Sequence, residues 1–189
     1  MTTLEQHIKS YFGISEDELA IVASMFKLQE IPKGSYFLRT DHLCDKLSFI
    51  KSGMMRIYST QDDKEITQWI STQGYFVTDL ASLIFNKPAR WTIQALVDTE
   101  LYTISKTDYN RIGKFVPRWP ELEKLFIAKC FIMLEDRIFS HLSMSAEERY
   151  ELFFANNKEL FNQVPLQYIA SMLGMTPETF SRIRKKLTS

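Results

Sequence analysis

The spacing of apolar residues changes twice along this chain, and a change of period forces a change of architecture. From Met1 to about Met25, Leu4, Ile8, Phe12, Leu19 and Val22, with Phe26 beyond, recur at helical spacing, so two short helices are expected. Ser15 followed by Glu18 has the form of a capping box opening the second. Between about Gln29 and Ile104 the period falls to two, as in Leu47 and Phe49, Met55 and Ile57, Ile93 and Ala95, Tyr102 and Ile104. Turn chemistry such as Pro32-Lys33-Gly34, Lys51-Ser52-Gly53 and Gln61-Asp62-Asp63-Lys64 separates the runs. About eight short strands so spaced predict a closed or double-sheet, jelly-roll-like β architecture.

After Lys106 the helical period returns, with a long helix from about Pro120 to Leu142 and a further helix opened by the capping-box sequence Ser145-Ala146-Glu147-Glu148. The fold class expected is therefore α+β: a β-roll unit over residues 1–117, a long connecting helix over 118–142 and an all-α unit over 143–189. The long helix carries two apolar stripes, Leu122, Phe126, Cys130 and Met133 on one side and Ile127, Phe131, Leu134, Ile138 and Leu142 on the other. A single core contact needs only one. Either the helix is buried deeply in its own unit, or a twin helix in a second subunit covers the spare stripe. The homodimer is the reading carried forward, with Leu122, Phe126, Cys130 and Met133 as candidate interface residues and the choice of stripe left open.

Composition narrows the class of protein. Hydrophobic residues make up 45% of the 189, and 23 basic side chains balance 23 acidic ones, which suits an ordinary folded domain. The longest apolar runs, Leu125 to Ala128 and Phe131 to Leu134, fall short of the roughly 18–20 residues of a membrane span. The N-terminus has neither the basic start nor the apolar stretch of a secretion signal, so a cytoplasmic location and no membrane partner are expected. Cys44 and Cys130 are too few and too far apart for a disulfide framework or an iron–sulfur ligand set, and are read as reduced core thiols. His7, His42 and His141 cannot easily converge on one metal, as a cupin enzyme would require, and no nucleophile elbow or P-loop is present. No enzyme activity, metal or haem is expected.

The densest functional signal is the run from Val164 to Leu187. Pro165 suits a helix start, Ala170 permits close helix contact, Gly174 suits a left-handed turn, and Thr176-Pro177-Glu178-Thr179 suits the start of a second helix. Phe180, Ile183 and Leu187 form that helix's expected buried stripe. The pattern is a helix-turn-helix, whose second helix enters the DNA major groove. Arg182 suits bidentate contact to guanine, Glu178 can accept from a cytosine amino group, and Arg184, Lys185 and Lys186 can meet phosphates. Gln167, Thr176, Thr179 and Ser181 complete the candidate DNA-binding set. From Thr176 to Ser189 four basic residues stand against one acidic, inside a neutral chain. The competing reading is a protein-interaction module whose terminal helices dock a protein partner.

The order of helices, β-roll, long helix and helix-turn-helix, with the sequences Ser145 to Tyr150 and Tyr168 to Lys186, resembles the Crp/Fnr family of bacterial transcription regulators, in particular the branch common in Bacteroidetes-type bacteria. The resemblance implies a homodimer on a palindromic double-stranded operator, with RNA polymerase as a protein partner. Many relatives continue into a β wing, and here none is expected after the last helix. The resemblance also implies a cyclic-nucleotide-type pocket, held in nucleotide-binding members by a Gly-Glu-Leu-Ala segment and a Pro-Arg-x-Ala segment. Here the corresponding residues are Val77, Thr78, Asp79, Leu80 and Ala81, then Ala89, Arg90, Trp91 and Thr92. Thr78 replaces the glycine that lets a phosphate approach the backbone, Asp79 is shorter than glutamate, and Ala89 stands in the arginine's place. On a strand, Arg90 points to the opposite face. Cyclic AMP is therefore not expected as a ligand, and the alternatives left are another small effector or none.

Overall fold

The computed structural model describes residues 1–187; the expected C-terminal unit ends in Thr188 and Ser189, which lie outside the described residues. Two N-terminal helices, α1 (Thr3–Phe12) and α2 (Glu16–Ser24), precede eight strands: β1 (Lys27–Ile31), β2 (Tyr36–Leu38), β3 (Lys46–Ser52), β4 (Met55–Gln61), β5 (Lys64–Ser71), β6 (Phe76–Val77), β7 (Thr92–Ala95) and β8 (Thr99–Ser105). They form two four-stranded antiparallel sheets, β1-β8-β3-β6 and β2-β7-β4-β5, stacked face to face. Ile31, Phe37, Ile50, Met55, Val77, Ile93 and Leu101 fill the space between them. A short helix α3 (Leu80–Phe85) interrupts the strands, and α4 (Lys106–Tyr109) with a 3-10 turn leads into α5 (Trp119–Ser143). The chain ends in α6 (Ala146–Asn156), α7 (Leu160–Gln163), α8 (Leu166–Met172) and α9 (Pro177–Leu187).

Helices cover the outer face of each sheet, and this arrangement explains the strand burial. In β3, Leu47 and Phe49 point outward into a core made with α1, α2 and α5, while Ile50 points inward. Phe12 of α1 stacks on Phe126 of α5 at 4.7 Å between ring centroids and on Trp119 at 4.8 Å. On the other sheet, Met54 and Ile70 join a core with Tyr150, Ile169, Ala170, Phe180 and Ile183. The C-terminal helices therefore share apolar packing with the β-roll.

Two capping expectations have different outcomes. Ser145 accepts from the Glu148 backbone and the Glu148 carboxylate accepts from the Ser145 N–H, a complete capping box that also holds the Glu148 carboxyl below the usual range. Ser15 forms no such box: its hydroxyl donates to the Glu18 carboxylate at 2.8 Å and caps no backbone donor. The N-terminal box is instead at α1, between Thr2 and Glu5.

Among the described residues no helix is long and apolar enough to cross a membrane. Cys44 and Cys130 are free thiols, the first buried and the second half-buried, and burial pushes the Cys130 thiol up to about 11.

Candidate functional site

The hairpin α8–α9 is built by its turn. Gly174 N–H donates to Ser171 and Met175 N–H to Ala170, the paired bonds of a Schellman motif, with Gly174 at φ +69°. A Cβ there would also come within 3.1 Å of the His141 ring. Thr176 Oγ1 then accepts from Thr179 N–H at 3.2 Å, opening α9. Phe180 and Ile183 are buried beneath it.

On the opposite side of α9, Glu178, Ser181, Arg182, Arg184 and Lys185 are exposed, as are Thr176 before the helix and Gln167 on α8, while Thr179 is half-buried. One placement differs from expectation. Leu187, assigned to the buried stripe, is 42% exposed, because the helix runs past the core at its last turn. Lys186, also exposed, pairs with Glu147 of α6 at 2.7 Å, a surface contact that leaves its assignment to phosphate as it stood.

Helix α8 does not stand clear of the β-roll: it lies against β5, an edge strand. Thr67 N–H donates to Ser171 Oγ at 2.9 Å. Arg56 of β4, 1% exposed, donates to Thr67 and, at 2.6 Å, to the Glu65 carboxylate, and its guanidinium stacks 3.5 Å from the Tyr168 ring of α8. The β4–β5 register shifts between Ile57 and Tyr58, which pair with Trp69 and Thr67, leaving Gln68 as the extra residue of a bulge. Arg137 of α5 donates to the Gln68 carbonyl, and its other terminal nitrogen donates to the carbonyl of Met172 at the end of α8, 2.9 Å away. One arginine thus links the long helix, the bulge and the hairpin. Burial pushes its guanidinium down from the ordinary value.

A cavity of about 480 Å³ opens between β5, α3 and α5. Of the expected ligand residues, Thr78, Asp79, Leu80, Ala81, Arg90 and Trp91 line it; Val77, Ala89 and Thr92 do not. Val77 and Ala89 point into the core between the sheets, and Thr92 Oγ1 accepts from the Thr40 N–H at 3.2 Å. Arg90, a candidate pocket residue expected to face away only if it lay on a strand, faces the cavity. Residues 86–91 do not form a strand, so Ala89 turns to the core and Arg90 to the cavity.

Asp79 is buried and already engaged: its carboxylate accepts from Ser82 N–H at 2.9 Å as the cap of α3. Thr78 Oγ1 donates to the Lys46 carbonyl at 2.9 Å. Tyr75, Phe76 and Lys87, beside those residues in sequence, also line it, whereas Trp69 of β5 and Met133 of α5 were not expected there. Aromatic residues in an alternating strand carry no sign of which ones will border a cavity.

The long helix separates its two stripes. Leu122 and Phe126, expected at a subunit interface, are 3% and 0% exposed in the core with α1. They are therefore corrected to intramolecular packing, with Cys130 packed beside them and Met133 at the cavity. The other stripe stays open, with Phe131 at 61%, Ile138 at 59% and Leu142 at 82% exposure.

The β-roll has known counterparts in fold. Residues 28–114 match the cyclic nucleotide-binding domain. The whole architecture is similar to the Thermus thermophilus catabolite activator protein (22% identity, TM-score 0.59, over 99% of this chain and 87% of that one). It is also similar to FixK2 from Bradyrhizobium japonicum (19%, 0.72, 86% and 84%). A third likeness is to CLP from Xanthomonas campestris, described as a c-di-GMP responsive global regulator (16%, 0.66, 92% of each chain). At these identities the likeness is one of fold. No curated protein sequence gives a significant match.

Proposed function

We propose that the chain is a sequence-specific DNA-binding transcriptional regulator of the Crp/Fnr type that acts as a homodimer on an inverted repeat. The observation that carries the reading is the exposed face of α9. Glu178, Ser181 and Arg182 lie together at the N-terminal half of a helix held by a Schellman turn, and Arg184 and Lys185 follow at its basic end. The open stripe Phe131, Ile138 and Leu142 is where a second copy packs, since a continuous apolar helix face is costly to leave in water. The pocket favours a ligand other than cyclic AMP. Its carboxylate is already a helix cap, its walls are aromatic, and its cations, Lys87 and Arg90, are exposed.

The test is selection of binding sites from random duplex DNA, followed by titration of the selected and a scrambled site. Arg182→Ala is expected to lose about 1–3 kcal/mol of discrimination at one base pair per half-site. Equal weakening on both sites removes Arg182 from base contact. Failure to select any site favours the protein-interaction reading.

A further inference from the structure

A second cavity, of about 360 Å³, lies where the β-roll meets the C-terminal helices, with walls from β5, α5, α6 and α8. It shares Trp69, Tyr75 and Met133 with the first. Its charged walls are Arg137 and Arg149 against one carboxylate, the exposed Asp136, with the His141 ring beside them.

Both arginines are half-buried, and both spend their described hydrogen bonds on neutral carbonyls. Arg137 donates to Gln68 and Met172; Arg149 donates to Leu173 at 3.0 Å and to Met144 at 2.7 Å. Among the described residues no carboxylate lies within ion-pair distance of either. A guanidinium has five N–H groups, and two bonds leave donors to spare on each. Ser140, Asn156 and Asn157 add neutral polar groups to the same walls. Desolvated cations that lack a counter-charge are costly to a fold, and an anion in the space between them offsets that cost.

We propose that this junction cavity is a binding site for a small polyanion, held by Arg137 and Arg149. Because its walls come from both the β-roll and the hairpin support, an occupant fixes one against the other. The site adjoins the nucleotide-type pocket through three shared walls but has none of its charged residues in common with it, and its test involves no DNA, so it stands or falls independently of the regulator reading.

The experiment is thermal unfolding of the full chain with pyrophosphate and, separately, citrate, with affinities measured by calorimetry. Saturation near one hundred times the dissociation constant is expected to raise the midpoint by about 5–10 °C. The two arms tell phosphate from carboxylate chemistry, and a shift with neither overturns the proposal. Arg149→Gln is expected to weaken binding about tenfold or more.

Since that change also removes two carbonyl contacts, Ser140→Asp supplies a variant that keeps them. It places a carboxylate in the cavity, so it should raise the ligand-free midpoint by about 2–4 °C and abolish the anion response. An anion response unchanged in Ser140→Asp but lost in Lys185→Ala/Lys186→Ala places the anion on α9 and overturns the proposal.

Discussion

The two sheets of the β-roll are both covered by helices, but the covers are made of different materials. Over the first, α1 and α5 meet β3 through stacked rings and aliphatic side chains, Phe12, Trp119, Phe126, Leu47 and Phe49. Over the second, α8 meets β4 and β5 through a mixed seam in which Ile70 and Ile169 are flanked by Arg56, Arg137 and Ser171. An apolar seam is cohesive wherever its parts slide, whereas hydrogen bonds are made in one geometry only. The first cover is therefore a permanent part of the core. The second holds α8 in one geometry, and under the proposed function that seam lies between the β-roll and the helix assigned to DNA.

The sharpest way to break this contrast is to weaken each seam in turn. Phe126→Ala removes a fully buried ring from the first and is expected to cost about 3–5 kcal/mol, seen as a lower denaturant midpoint for the whole chain. Arg56→Met removes charged hydrogen bonds and the stack on Tyr168 from the second, at about 1.5–3 kcal/mol. Its mark is local: proteolysis near Ser143 to Ser145 should rise more than global unfolding does. Cleavage that rises only in step with global unfolding would make the two seams one. Ser171→Ala leaves the Thr67 N–H without its partner and is expected to cost about 1 kcal/mol in chemical denaturation.

The smallest effect concerns pH. His7 of α1 stacks beside Phe49 with its Nε2 buried and unpartnered, and burial lowers its pKa from 6.5. The unfolded chain therefore takes up the proton first. Stability contributed by neutral His7 is complete above about pH 6.5 and declines as the pH falls below it. His7→Gln should flatten that slope in unfolding midpoints measured from pH 7.5 to 5, and an unchanged slope would assign it to other groups.

The sequence displayed what depends on local chemistry. The double change of period announced helices around a β-roll, and Ser145 with Glu148, Gly174 and Thr176 announced the caps and turn they form. What depends on pairing was hidden. The bulge at Gln68 exists only because Ile57 meets Trp69 while Tyr58 meets Thr67, and no local pattern encodes that slip. Arg137 has no motif around it, since its partners lie 69 and 35 residues away. The stripes of α5 were both visible, but periodicity reports that a face is apolar and says nothing of whose atoms cover it. Arg90 reached the cavity because the irregular backbone signalled by Asn86-Lys87-Pro88 runs on to residue 91, one residue into the expected strand.

The position of β5 bears on how the protein behaves when the second cover lifts. It is the last strand of its sheet, its Thr67 N–H is satisfied by Ser171, and Ile66 beside it is 43% exposed. Stripped of α8, that border offers unpaired backbone donors and an apolar side chain to any other strand within reach. The α8–α9 hairpin is thus also the guard against edge-to-edge aggregation, and a β-roll expressed without it would be prone to self-associate through β5.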